Sequence, residues 1–443
     1  MTTGTAPTQE DTLTANPLLD SAPLVPGSAS ELLTGLRAEG WKAFQSIPFP
    51  TRTEEAWRFA NLKALDISSF TQTRPANECD HASFVTKSIS LEKITGKMIF
   101  ANDELVYRDE LPAELSAKGV IWLPLEEAAA AHPELFRKHF MAYAAQLGSR
   151  KYAALHKASV RAGTFLYVPR GVEVALPIEV YHWLQGGQNS VFPHTLVVAE
   201  ENSKVTLVDY FFSSSPDIGG FACGVNDLHA AAGANLTYVN VQNWSTHTTA
   251  VQINHTVVGR NATAKSLNLN LGGSYARTES SSRLVGEGAR SDMLSVTVAE
   301  GTQEFDQRTF QDHVAPGAVS DLLYKNSLDD QSRTIFAGMI RVEPHAQRTD
   351  AYQKVRNLLL SDDAEANSMP GLEILADDVR CSHGATSGQI ESEELFYLLA
   401  RGIDKRTAQR LIVQGFLQEA IMRLGNEEIA EAMGRFVSGK FGG

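Results

Sequence analysis

Seven segments of this chain share one form: VPRGVEV, AEENSKVTL, AAAGANLTYV, VGRNATAKSL, VGEGARSDML, VAPGAVSDLL and VEPHAQRTDA. Each runs from a strand through a corner of polar or Gly residues to a small residue, and then into another strand. The corners fall at Val172, Ser203, Ala234, Ala262, Ala289, Ala318 and Ala346, giving spacings of 31, 31, 28, 27, 29 and 28 residues. Self-similarity at a near-fixed period marks an architecture of stacked units, each burying its apolar face on the next. The runs between corners (TFLYV, TLVVA, KVTLVDYF, LTYVNV, SLNLNL) alternate apolar and polar residues, which is the period of a strand. A unit of that length made only of short strands is too long for a hairpin and fits one coil of a parallel β-helix. A sandwich or propeller would need hairpin turns such as Asn-Gly, and these are scarce.

The flanks read differently. Residues 1–29 are rich in Thr, Ala, Pro and Ser and are expected to form a disordered tail. Residues 30–158 are expected to be mostly helical, in ELLTGLRAEGWKAFQSIPFP, TRTEEAWRFANLKAL and LPLEEAAAAHPELFRKHFMAYAAQL, with strand-like runs such as KMIFANDELVYR between them. The β-helix is expected over 159–388 and a small helical domain over 389–443. There, Ser392 can cap a helix that ends at Gly402, and Asp404 can cap a second that ends at Gly425. The second carries Ala408, Leu411, Ile412, Phe416, Ala420, Ile421 and Leu424 at helical spacing.

Bulk properties exclude several functions. Lys and Arg total 39 against 52 Asp and Glu, for a net charge of -13, and no basic block stands out. Affinity for a phosphate backbone comes from clustered Lys and Arg, so nucleic acid is not an expected partner. The three cysteines, Cys79, Cys223 and Cys381, are too sparse for a disulfide framework and suit a reducing compartment. The opening MTTGTAPTQEDTLTANPLLDS has neither a basic n-region nor an apolar h-region, and no run is long enough for a bilayer span. The expectation is a cytosolic protein that makes no membrane contact. Its sequons at Asn235, Asn243, Asn254 and Asn261 are then turn and strand residues. No G-x-S-x-G elbow is present, and the Gly35 to Gly40 stretch is followed by Trp41 rather than Lys, so no intrinsic nucleotide site is expected.

The sharpest local feature is LEILADDVRCSHGATSG, residues 372–388. In a strand, Cys381 and His383 stand at i and i+2 and point to one face, where thiolate and imidazole could reach one metal. A soft sulfur/nitrogen pair suits iron, zinc or copper(I). The bland alternative is a packed thiol beside a surface histidine. An iron–sulfur cluster takes about four ligands, usually thiolates, so a cluster held here needs ligands from a second chain. His229, His255 and His313 lie in the repeats and read as strand or turn residues, and Cys223 as a packed thiol.

Residues 340–403, IRVEPHAQRTDAYQKVRNLLLSDDAEANSMPGLEILADDVRCSHGATSGQIESEELFYLLARGI, resemble the signature stretch of the SufB/SufD family of iron–sulfur cluster assembly scaffold proteins. FLYVPRGVEVALPIEV, TLVVAEENSKVTLVDYF and TEEAWRFANLKAL are similar to other family segments. ADDVRCSHGAT is the form of the SufD branch, and the R-C-G-A-H stretch of the SufB branch is absent. The resemblance implies a right-handed parallel β-helix between two helical regions, in a complex with a SufB-like subunit and a SufC-like ABC-type ATPase. It also implies a transient cluster near the SufB interface, with Cys381 and His383 at the matching positions, and an ATPase dock on the C-terminal helices. Leu395, Phe396, Leu399, Ile403 and Phe416 exceed what those helices must bury internally and are the expected partner-binding set. His345 stands where the family pattern would place a smaller corner residue such as Gly. A flavin on the complex and a homodimer of the isolated chain stay open. The alternatives are a β-helix enzyme acting on polysaccharide and a purely structural paralogue with an inert Cys381.

Overall fold

The structure is a computed structural model that describes residues 17–23, 25, 30–89 and 91–441. It is mainly β, and the expected parallel β-helix is its body. Each coil gives one strand to each of two facing sheets. One sheet runs from Ile178–Leu184 through Lys204–Ser213, Asn235–Asn243, Thr263–Asn270, Arg290–Ala299, Val319–Leu328 and Thr349–Leu359 to Val379–Gln389. The other runs from Gly163–Val168 through His194–Ala199, Phe221–Ala230, Thr249–Val258, Tyr275–Leu284, Glu304–His313 and Arg333–Val342 to Glu365–Ile374. Neighbours pair in parallel, so like positions of successive coils stack in columns.

One column explains the period. Gly171, Asn202, Gly233, Asn261, Gly288, Gly317 and Arg348 all adopt left-handed backbone, with φ between 53 and 71. Gly and Asn take this region most readily. The next residue turns inward: Ser203, Ala234, Ala262, Ala289 and Ala318 are wholly buried. The carbonyl at each of these positions then accepts an N–H from the following coil: Lys204 to Val172, Asn235 to Ser203, Thr263 to Ala234, Arg290 to Ala262, Val319 to Ala289 and Asp350 to Ala318. The last corner departs from the expected column. Val319 pairs with Asp350, so Thr349 rather than Ala346 lies in register with Ala318. Between the register pairs His313–Val342 and Val319–Asp350 the earlier coil has five residues, 314–318, and this one seven, 343–349, in the stretch that carries His345.

The N-terminal region caps one end of the solenoid. KMIFANDELVYR forms a hairpin of Gly96–Ala101 and Glu104–Arg108, turning at Asn102 and Asp103, both with positive φ. Gly96–Ala101 pairs in parallel with Ile178–Leu184 and so extends the first sheet. Ile121–Pro124 extends the second by pairing with Gly163–Val168. TRTEEAWRFANLKAL is not the expected helix: only Glu55–Trp57 makes a short 3-10 turn. The carbonyl of Ala56 accepts from Arg277 of the solenoid, and Trp57, Ala60 and Leu65 are buried with Tyr152 and Phe221. Tertiary contacts here override a locally helical pattern. Most of the expected tail lies outside the described residues. The part described is held: Leu18 is buried and donates its N–H to the carbonyl of Phe70.

Helices cover the outer faces of the sheets. Arg150–Ser159 packs Tyr152 and Leu155 on the second sheet at Phe221, Val225 and Val251. Lys405–Met422 and Glu427–Lys440 pack Val413, Leu417, Ile421, Ile429 and Met433 on the first, against Val239, Val241, Leu267, Leu269 and Val296. Asp404 caps as expected, accepting the Thr407 N–H at 3.0 Å. Ser392 is instead the first helical residue, preceded by Glu391, which makes no side-chain cap. The buried stripe of Lys405–Met422 is also rotated from the expected one, to Ala408, Val413, Leu417, Ala420 and Ile421, leaving Leu411 exposed. Among the described residues no helix is long and apolar enough to cross a membrane.

Candidate functional site at the open end of the solenoid

Among the described residues nothing covers the end opposite the N-terminal cap. Val379–Gln389 and Glu365–Ile374 are the last strands of their sheets and each pairs on one side only. Their free backbone edges are templates for another strand. Leu372, Ile374 and Leu375 are exposed there.

Register places Cys381 over Ala351 and His383 over Gln353. Ala351 and Gln353 are 1% and 0% exposed, inside the coil below. Side chains in register share a face, so Cys381 and His383 belong to the interior column of the solenoid at the layer where it opens to solvent. Cys381 is half-buried against the cluster of Ile340, Val342, Ala346 and Ala351, while His383 is exposed. Burial pushes the Cys381 thiol up, the charge of Asp350 adds to this, and a backbone hydrogen bond with Ala351 opposes it. The resting side chain is therefore a neutral thiol, and a metal or a cationic neighbour is needed to hold the thiolate. Among the described residues no group of three or more His, Cys, Asp or Glu side chains is placed to hold a metal.

The other candidates have structural partners. Cys223 is buried, with its Sγ 3.5 Å from the carbonyl of Tyr152. His229 bonds the carbonyl of His139, His255 the hydroxyl of Ser281 and His313 the hydroxyl of Ser320.

No residue of the helix Ser392–Leu399 is buried. Phe396 is 69% exposed and Leu399 39%, with Leu395 and Ile403 half-buried. Phe416, on the next helix, lines one groove with Tyr397, Leu398 and Leu411. Its carbonyl accepts from Lys325 Nζ at 2.6 Å, its ring lies 4.3 Å from that ammonium, and Lys325 also pairs with Glu419. Tyr397, at 56% exposure, and Leu411 add apolar surface that the sequence reading did not include. The apolar spacing puts Leu411 on the buried stripe, and only the rotation of that helix exposes it.

Residues 182–416 match the family described as SUF system FeS cluster assembly, SufBD core domain, and residues 20–180 match the SufBD protein N-terminal region. The chain is 28% identical over 407 residues to the iron–sulfur cluster assembly protein SufD of Bacillus subtilis, covering 90% of this chain and 92% of that one. It is 26% identical over 328 residues to SufB of the same organism, covering 74% and 70%. An iron–sulfur cluster assembly SufBD family protein of Staphylococcus epidermidis is 27% identical over the same length.

Proposed function

Because the chain belongs to the SufBD family, matching its core domain over residues 182–416 of 443, we propose that it is a SufD-like, non-catalytic scaffold subunit that works in the cytosol. It offers the strand edges of its last coil to a SufB-like subunit and its C-terminal helices to a SufC-like ATPase. Between the two scaffold chains a nascent iron–sulfur cluster, the cargo, is held in part by Cys381 and His383. The observation that carries this reading is the place of that pair: interior column, last layer, uncovered end. Two ligands cannot fill a cluster's shell, and a coil stacked on the free edges would bring further ligands to the same layer. The same coil would shield Leu372, Ile374 and Leu375.

Anaerobic reconstitution with iron and sulfide tests this. The chain alone should retain little cluster after desalting, whereas the chain copurified with its SufB-like partner should retain it. Equal retention by the isolated chain would reject the shared site. A second reading keeps the scaffold role and makes Cys381 an inert thiol, which its packing against Ile340 and Val342 favours.

A further inference from the structure

Directly beneath His383 lies Gln353, and one of its amide atoms is unused. Gln353 is wholly buried, and its Oε1 has no hydrogen-bond partner among the described residues. Leaving a buried acceptor unsatisfied is costly, so such an atom calls for an explanation.

The network below fixes which end of the amide is free. Gln311 Nε2 lies 3.3 Å from the carbonyl of Tyr352, which can only accept, so that end of Gln311 is the donor. Gln311 Oε1 therefore faces Gln353, at 3.4 Å from Nε2. Gln353 Nε2 also reaches Thr309 Oγ1 at 3.4 Å. Turning the Gln353 amide over would set two carbonyl oxygens against each other, so the oxygen is the end left over. Gly338 keeps the space for this arrangement: a Cβ there would stand 2.1 Å from Gln353 Nε2. Register stacks His383 on Gln353 at the open side, and its ring, which makes no hydrogen bond to Oε1 in this conformer, is the donor that a side-chain rotation would bring to it.

We propose that Gln353 is a positioning residue for His383: its Oε1 accepts a hydrogen bond from one ring N–H, fixing the imidazole as a single tautomer with the other nitrogen's lone pair toward the open end. Histidines that bind metals almost always donate their second ring N–H to a carboxylate, carbonyl or water, and loss of that partner weakens binding by 10–100-fold. This deepens the scaffold reading and rests on it for the role of His383, but the tautomer can be read without any cluster.

The experiment uses the full chain labelled with [15N]histidine at a pH where His383 is neutral, with its signals assigned by their loss in His383→Ala. The wild-type ring should show one protonated and one bare nitrogen. Gln353→Met, which removes the acceptor and keeps the shape, should move both signals toward the mixture of free imidazole, while Gln353→Glu, which keeps an acceptor, should hold the single tautomer. In the complex with the SufB-like partner, Gln353→Met should shorten cluster lifetime at least tenfold. A free-imidazole mixture in the wild type overturns the proposal, even if Gln353→Met fails to fold, and so do identical spectra of wild type and Gln353→Met. If the tautomer shifts as stated but His383→Ala leaves cluster retention unchanged, the positioning stands and the ligand role of His383 falls.

Discussion

Arg277 Nη1 sits 2.5 Å from Asp306 Oδ2, both side chains fully buried, and ties the N-terminal region to the solenoid. The same guanidinium bonds Glu279, donates to the carbonyls of Leu147 and Ala56, and lies 3.7 Å from the ring of Trp57. The opposing carboxylates outweigh burial and hold the guanidinium above its usual range. Removing one member of a buried charge network strands the others and costs about 3–5 kcal/mol. Arg277→Met should therefore lower the urea midpoint strongly and expose the 141–150 segment to proteolysis. An unchanged midpoint would mean that this network does not hold the cap.

The corner column makes a second prediction. Gly288 has a φ of 69, and a Cβ there would meet Asn261 Oδ1 at 2.3 Å. Gly301 has a φ of 60 with nothing within 4 Å. Gly301→Ala should cost about 1–2 kcal/mol, the price of left-handed backbone alone. Gly288→Ala should cost more, and Asn261→Gly in the same chain should recover the difference. Equal costs at the two sites would show that stacking does not constrain the column.

The third concerns the ATPase dock. Removing residues 391–443 would uncover Val239, Val241, Leu267 and Leu269, so a deletion would confuse folding with binding. Phe396 and Leu399 are exposed, and their replacement by Asp should leave thermal stability nearly unchanged. Each should weaken binding of the SufC-like partner about tenfold or more, as loss of an apolar anchor does. Undiminished affinity of the double variant would move the dock elsewhere.

Acid should destabilise the chain. Burial holds His156 and His182 down at about 3 and His139 and His313 at about 4. Above about pH 6.5 these rings are neutral in folded and unfolded chains alike. Below it the unfolded chain binds protons that the folded chain refuses, so stability falls as pH falls toward 4. Asp103 and Asp209 act in the opposite sense, because burial raises both to about 7 and the folded chain keeps protons that the unfolded one releases. Burial also lowers His229 and His255 and raises Glu179, Glu304 and Asp312, so six histidines oppose five carboxylates, and the urea midpoint should be lower at pH 5 than at pH 7. A higher midpoint at pH 5 would mean that the raised carboxylates outweigh the buried histidines.

Much of the fold was legible because one physical demand recurs: a small buried residue after a left-handed one, as at Ala234, Ala262, Ala289 and Ala318. The corner at Ala346 looked alike, but register is set by strand pairing, and two added residues moved Thr349 into its place. TRTEEAWRFANLKAL misled because the partner that takes the Ala56 carbonyl is Arg277, distant in sequence. At the site, the shared face of Cys381 and His383 followed from a period of two. That this face is the interior column at an open end depends on the preceding coil, as does the free oxygen of Gln353. Neither leaves a local pattern.

Cys381 and His383 are proposed to hold part of a cluster shared between chains. The direct measurement is iron and sulfide content of the complex copurified with the SufB-like partner, for wild type and for Cys381→Ser combined with His383→Ala. Cys381→Ser and His383→Ala should together abolish most of the bound cluster while the amount of partner recovered stays the same. Unchanged cluster content with the complex intact would contradict the account and leave Cys381 an inert thiol.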